Sequence, residues 1–320
     1  MTEVSPGDKV ACIGQGFASH AEIVSIPANL MTRIPQNVSA EQASFGMLGV
    51  IALHGIRCGN LTFGGRVAIM GLGLLGLLTL QMLRAYGCEV IGFDPDSEKV
   101  RLAKKLGFEN VVNQVGELSA LVATHTGSSG VDAVLITAAT KKRDPVDQAI
   151  QLCRSRGKIV VVGVADIHPD RNELWQKEVE LVVSRAAGPG SLDPLYEIEG
   201  VDLPIGDVRW TQKRNLEEFL RLQQNGIIDV SPLISHRFSI ESAEEAYHQL
   251  LSGTLKNPIG VLLEYPEPPN ILRQIRIPES SPKPRIQKDS IRTGVIGAGL
   301  FGKALLLPAI QKEKGFSLHT

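Results

Sequence analysis

The sequence predicts an α/β fold: a doubly wound parallel sheet inserted into a smaller, partial β domain, followed by the start of a second α/β unit. Three observations predict it. Between residues 66 and 162, short apolar or β-branched runs alternate with helix-length connections, the pattern of βαβ units. A glycine-rich turn, "GLGLLG", joins the first of those runs to the first helix. The first fifty residues read as two strands and a loop, which cannot form a core alone and must pack on something else.

In chain order, "DKVACIG" and "HAEIVSI" read as strands. "ANLMTRIPQNVSAEQASF" reads as a loop through Pro35 leading into a helix opened by Ser39, with Glu41 in its first turn. Strands follow at 67–70, 89–93, 110–112, 131–137 and 158–163, with helices at about 74–86, 96–106, 116–125 and 145–154 between them. Right-handed crossovers arrange such strands as a doubly wound sheet. The stretch "PLISHRFSIESAEEAYHQLLSGTLKNPIGVLLEY" (232–265) reads as a strand, a Ser-capped helix and a final strand, and is the expected partner of the first fifty residues. Six prolines between 266 and 284 then prevent regular pairing and read as an extended linker. The expected organisation is 1–50 and 229–265 as the smaller domain, 51–228 as the nucleotide-binding domain with an insert at 188–211, a linker at 266–290, and an incomplete second unit at 291–320.

Apolar residues make up 43% and charged residues 21%, an ordinary balance for a globular protein. A net charge of −1 offers no basic field for nucleic acid or an anionic membrane. The apolar run at 67–83 holds three glycines early on and is short for a bilayer crossing; a buried strand turning into a packed helix gives the same pattern. Cys12, Cys58, Cys88 and Cys153 lie far apart, and the amino terminus has no apolar leader, so a reducing, cytoplasmic setting is expected.

In "GLGLLG", Gly71 permits the tight turn, Gly73 lets the backbone approach a pyrophosphate, and Gly76 lets the helix pack on the strand. The helix start at Leu74 and Leu75 offers free N–H groups to that phosphate. Asp94 follows Gly76 by 18 residues, close to the spacing of a carboxylate that accepts from an adenosine ribose. An acid there repels a ribose 2′-phosphate, so NAD is expected rather than NADP. Lys99, one turn further, either touches the same ribose or is a solvated lysine.

These pieces, with "PGDKVACIGQGFASHAEIVSIP", "IPQNVSAEQASF" and "SIESAEEAYHQL", resemble the medium-chain dehydrogenase/reductase superfamily over residues 6 to 265. The resemblance implies a Rossmann domain within a GroES-like domain, nicotinamide-dependent hydride transfer on an alcohol or carbonyl, and Thr137 and Gly163 bordering the cofactor. Self-association is implied too. Two departures stand out. The segment carrying the first zinc ligands in that family has no counterpart here, and the third ligand position falls on Met47, a poor zinc donor. Zinc independence is therefore expected, the open alternatives being a catalytically incomplete scaffold fragment or a zinc enzyme with ligands upstream. "TGVIGAGLFGKALLLPAI" resembles the opening of the glucose–fructose oxidoreductase-like family. Fusions of the two families exist, and by that resemblance the chain reads as part of one, with sugar-related substrates and a link to bacterial polysaccharide metabolism. The second glycine run, with no strand or ribose acid after it, is not expected to bind a nucleotide.

No catalytic residue is assigned. Seven histidines make no HxxxH or HExxH pattern, so no metal site is expected. His54, Ser184 and Arg185 are placed near the nicotinamide end, each with an ordinary packing or surface role as its alternative. Tyr196 and Asp202 in the insert are candidate proton donors without a supporting spacing rule, and Trp210 reads as an anchor for the loop.

Overall fold

The computed structural model describes residues 4–140, 144–266, 291–296, 299, 301–313 and 315–318. The chain forms two compact units, Met1–Pro269 and Asn270–Thr320. The linker expected at 266–290 lies, beyond Pro266, outside the described residues.

The first unit opens with β1 (Val10–Cys12) and β2 (Met31–Arg33), paired antiparallel, then α1 (Ala40–Ala43) and α2 (Gly46–Cys58). Ser39 caps α1 with a full capping box: its hydroxyl accepts from Gln42 N, and the Gln42 side chain accepts from Ser39 N. Next come β3 (Arg66–Met70), α3 (Leu74–Ala85), β4 (Glu89–Phe93), α4 (Ser97–Lys105), β5 (Val111–Val112), α5 (Val115–Thr126), β6 (Val131–Ile136), α6 (Asp144–Leu152) and β7 (Cys153–Val161). After α7 (Arg171–Lys177) and β8 (Glu180–Val183), the insert holds α8 (Pro194–Glu197). Helix α9 (Gln212–Gln224), β9 (Ile234–Ser239), α10 (Ala243–Ser252) and β10 (Gly260–Glu264) complete the unit.

Six strands make one parallel sheet in the order β5-β4-β3-β6-β7-β8, the doubly wound arrangement expected from the alternating runs. Its alternating side chains feed two cores. Val67 and Ile69 of β3 face a cluster with Leu53 of α2, Leu77 and Leu80 of α3 and Phe219 of α9. Ala68 and Met70 face the opposite cluster, with Leu118 of α5 and Ile150 of α6. The apolar run 67–83 is thus a buried strand followed by a helix buried between sheet and neighbours. Among the described residues, no helix is long and apolar enough to cross a membrane.

Several details differ from expectation. "HAEIVSI" forms no strand; β1 pairs instead with Met31–Arg33, inside the stretch read as a loop, because Ile13 N reaches Leu30 O (2.9 Å) and turns the chain there. The first fifty residues share a core with the part that carries the parallel sheet: Ala11, Ile13, Leu30 and Val50 pack with Ala187 and with Leu216 and Leu220 of α9. The 232–265 segment is held to them by polar ties, Arg237 bidentate on Glu41 (2.7 and 3.0 Å) and His20 against Tyr247 (3.0 Å). Ser242 precedes α10 without a side-chain cap bond. Strand β7 begins at Cys153, directly after α6, and Lys177 Nζ donates to the carbonyls of Ile150, Gln151 and Cys153 at that junction.

In the second unit, β11 (Ile291–Thr293) pairs in parallel with β12 (Phe316–Leu318). A π-helical turn (Gly302–Leu306) and α11 (Leu307–Lys312) connect them. A second strand does therefore follow the second glycine run, contrary to expectation, because "FSL" is long enough for three ladder pairs. Gly297 lies outside the described residues.

Candidate functional site

The sheet order reverses between β3 and β6, and the glycine run sits at the carboxyl end of β3, at that reversal. The strand ends are sealed there by main-chain bonds. Gly71 N donates to Phe93 O (2.8 Å), Thr137 N to Met70 O (2.9 Å) and Gly163 N to Ile136 O (2.9 Å). Gly71 adopts a left-handed φ of +107°, and a Cβ on it would lie 2.6 Å from Ala138 N. The Thr137 hydroxyl donates to Gly71 O (2.6 Å), and a Cβ at Gly163 would lie 2.2 Å from Ala138 O. Thr137 and Gly163 thus back the loop and fix its path. Ala138 is their common neighbour, and sequence reasoning passed over it; a small residue directly after the strand was the available signal.

Gly73 is the amino-terminal cap of α3, and no side chain caps the helix there. Its first amides, at Leu74, Leu75 and Gly76, have no carbonyl four residues back to accept them. The Leu74 and Leu75 side chains pack toward the core, leaving their amides to the loop side. The three glycines differ sharply in what surrounds them. A Cβ on Gly76 would lie 1.8 Å from Gly71 O, whereas one on Gly73 would meet nothing within 4 Å. Gly76 is small because the loop packs on it; Gly73 faces open space beside an uncapped helix start. That is a site where a bound anion satisfies orphan donors and the positive end of the helix dipole.

Asp94, only 4% exposed, directly follows β4 beside this loop. Its Oδ2 accepts from Leu72 N (2.8 Å) and lies 3.5 Å from Lys99 Nζ, while Oδ1 accepts from Asp96 N (2.9 Å). Lys99 is therefore the counterion of a buried carboxylate rather than a solvated lysine. The tie from Asp94 to Leu72 uses a main-chain amide, so residue identity at 72 could not announce it.

At the end of β8, a cleft of about 510 Å³ is lined by His54, Arg185 and the turn Gly188–Pro194. His54 Nε2 lies 3.5 Å from Cys58 Sγ, one turn along α2. Burial, and then the charge of Arg57, push the imidazole below its ordinary pKa, so it is neutral at pH 7. Burial raises the Cys58 thiol, against the opposing effects of Ser184 and Lys158. The Arg185 guanidinium donates to Ser191 O and closes the turn.

The insert candidates take structural positions. Tyr196 is fully buried, its phenol pushed upward by burial, and its carbonyl accepts from Asn29 Nδ2 (2.9 Å). Asp202 is paired with Arg214, which also donates to Val208 O (2.7 Å) and Leu203 O (2.9 Å). Neither side chain is free to donate a proton to a substrate. Trp210 is held by stacking more than by burial, with Arg57 3.5 Å from its ring centroid.

Met47 packs against the cluster around Ile13 and Leu30. Among the described residues, no three His, Cys, Asp or Glu side chains converge to hold a metal. These residues do not fit a zinc ion.

Three comparisons with known proteins agree with this architecture. Residues 75–197 match the family of zinc-binding dehydrogenases. The chain is 30% identical over 244 residues to an L-idonate 5-dehydrogenase of Vitis vinifera, covering 73% of this chain and 60% of that protein. It is 26% identical over 256 residues to a D-guloside 3-dehydrogenase of Escherichia coli K12, covering 78% and 68%. A protein of Sinorhizobium meliloti 1021 described as a zinc-binding dehydrogenase, solved bound to NADP, superposes with a TM-score of 0.57 at 22% identity, covering 74% of this chain and 63% of that one. That likeness carries the fold. The chain thus spans about two thirds or less of the length of these relatives.

Proposed function

We propose that this chain is a member of the zinc-binding, medium-chain dehydrogenase family, and that its first unit binds a nicotinamide dinucleotide and serves an oxidoreductase acting on alcohols or sugar-like substrates. The observation that carries this reading is the uncapped start of α3 with open space at Gly73, set at the reversal of strand order beside Asp94. The amides of Leu74, Leu75 and Gly76 would receive the pyrophosphate, with Gly73 leaving room for it. Asp94, held by Leu72 N and charge-paired with Lys99, would meet the adenosine ribose and favour NAD over NADP. Gly71, Thr137 and Gly163 would shape the wall behind the cofactor. When bound, the cofactor supplies the hydride chemistry. The cleft at His54 and Arg185 would accept the substrate end; a neutral His54 can accept or donate a hydrogen bond there but carries no charge at pH 7.

No step is routed through zinc. The second glycine run is proposed to belong to a separate, glucose–fructose oxidoreductase-like unit. The test is reduction of NAD, followed by nicotinamide absorbance, with a panel of polyols and sugar acids. Turnover with any of them supports the reading; tight NAD binding without turnover across the panel would assign the chain to a nucleotide-binding module instead.

A further inference from the structure

At the far end of α3 from the glycine run, about 17 Å along a helix of this length, lies a second cleft of about 450 Å³. Its floor is apolar, with Leu53 and Ile56 of α2, Met82 of α3 and Leu222 of α9. Its rim carries Arg57 and Trp210. The Arg57 guanidinium lies 3.5 Å from the Trp210 ring centroid, and that of Arg209 lies 3.9 Å from the same ring. Arg57 Nε donates to Asn215 Oδ1 (2.8 Å), and Asn215 is fully buried, which fixes the guanidinium in place.

Two cations therefore share one indole, and among the described residues neither has a carboxylate within ion-pair distance. The carboxylate in the cleft, Glu218, is taken by Arg221 through two bonds of 2.8 Å. The carbonyl end of α2 offsets part of the charge on Arg57. Its pKa is drawn down to about 10, chiefly by burial; the charge of Glu218 opposes that shift and Arg209 adds to it. A half-buried guanidinium with free donors, over an aromatic ring and above an apolar floor, is a receptor for an oxyanion attached to a hydrophobic body.

We infer that this cleft binds a small organic oxyanion, a carboxylate or phosphate on an apolar body, with Arg57 engaging the anion and Trp210 flanking it. The site is separate from the dinucleotide loop and does not depend on the oxidoreductase reading.

The sequence contains two tryptophans, Trp175 and Trp210, and Trp175 is 71% exposed on α7. Trp175→Phe therefore leaves Trp210 as the sole indole reporter. In that background, titration with phenyl phosphate at constant ionic strength is expected to give a saturable change in emission. Inorganic phosphate should bind more weakly, and benzyl alcohol should produce no saturable change. Arg57→Gln should weaken phenyl phosphate at least tenfold while keeping the unfolding transition; should it fail to fold, exposed Arg209→Gln is read in its place and should also weaken binding. Absence of saturation, an unchanged titration in the arginine variant, or an equal response to chloride would overturn the site. Equal affinity for phosphate and phenyl phosphate would overturn the role of the apolar floor.

Discussion

At the residue scale, the three glycines of "GLGLLG" separate into different physical roles. Gly73→Val adds atoms into open space at a backbone conformation any residue can adopt, so the fold should persist while dinucleotide affinity falls at least a hundredfold. Gly76→Ala forces a Cβ against Gly71 O and should cost about 1–3 kcal/mol of stability, as overpacking does. Comparing calorimetric affinity with the denaturation midpoint of each variant distinguishes the two. Asp94→Ala should narrow any preference for NAD over NADP, read as the ratio of the two dissociation constants, because it removes the carboxylate that opposes a 2′-phosphate. His54 gives a pH dependence of known sign. Its folded pKa lies below the ordinary 6.5, so the unfolded chain takes up the proton first. The stability it contributes is present above pH 6.5 and is lost as pH falls through the folded value. Denaturation midpoints measured downward from pH 7.5 should fall less in His54→Gln than in the parent chain.

At the scale of elements, the insert between β8 and α9 is anchored at two points. Tyr196 is buried within it, and Arg214 holds the carbonyls of Leu203 and Val208 together with Asp202. Arg214→Ala should expose residues 198–210 to limited proteolysis several-fold faster while leaving NAD affinity unchanged. Thr211, buried and accepting from Arg214 N, caps α9, so Thr211→Ala should cost about 1 kcal/mol in a denaturant titration. These elements also show what could be read in advance. The central strands and α3, α4 and α5 were legible because a sheet buried on both faces demands continuous apolar runs with helix-length spacing. The error at "HAEIVSI" has the opposite cause: an exposed apolar pair, Ile23 and Val24, imitates a strand, while the actual partner of β1 is a three-residue pairing fixed by tertiary contact. Tyr196 illustrates the same limit. A tyrosine in a glycine- and proline-rich stretch reads as available for chemistry, and only the packing of Gly190 and Asn29 around it shows a core residue.

At the scale of the whole molecule, the glycine loop is legible in the sequence as a candidate site because four features keep register: strand, glycines, helix and terminal acid. What sequence could not supply was the internal wiring, since Leu72 N to Asp94 and Thr137 to Gly71 O run through main-chain atoms that carry no residue signature. The cleft at His54 likewise arises from α2 and the turn after β8, which are 130 residues apart in the chain and meet only in the fold. The sequence carries a glycine-rich run of this kind twice, and the proposed function rests on the first. Calorimetric titration of the full chain with NAD tests that claim most directly. One NAD per chain is expected, lost in Gly73→Val and retained in Gly299→Val. Binding that survives Gly73→Val, or that disappears with Gly299→Val, would contradict it.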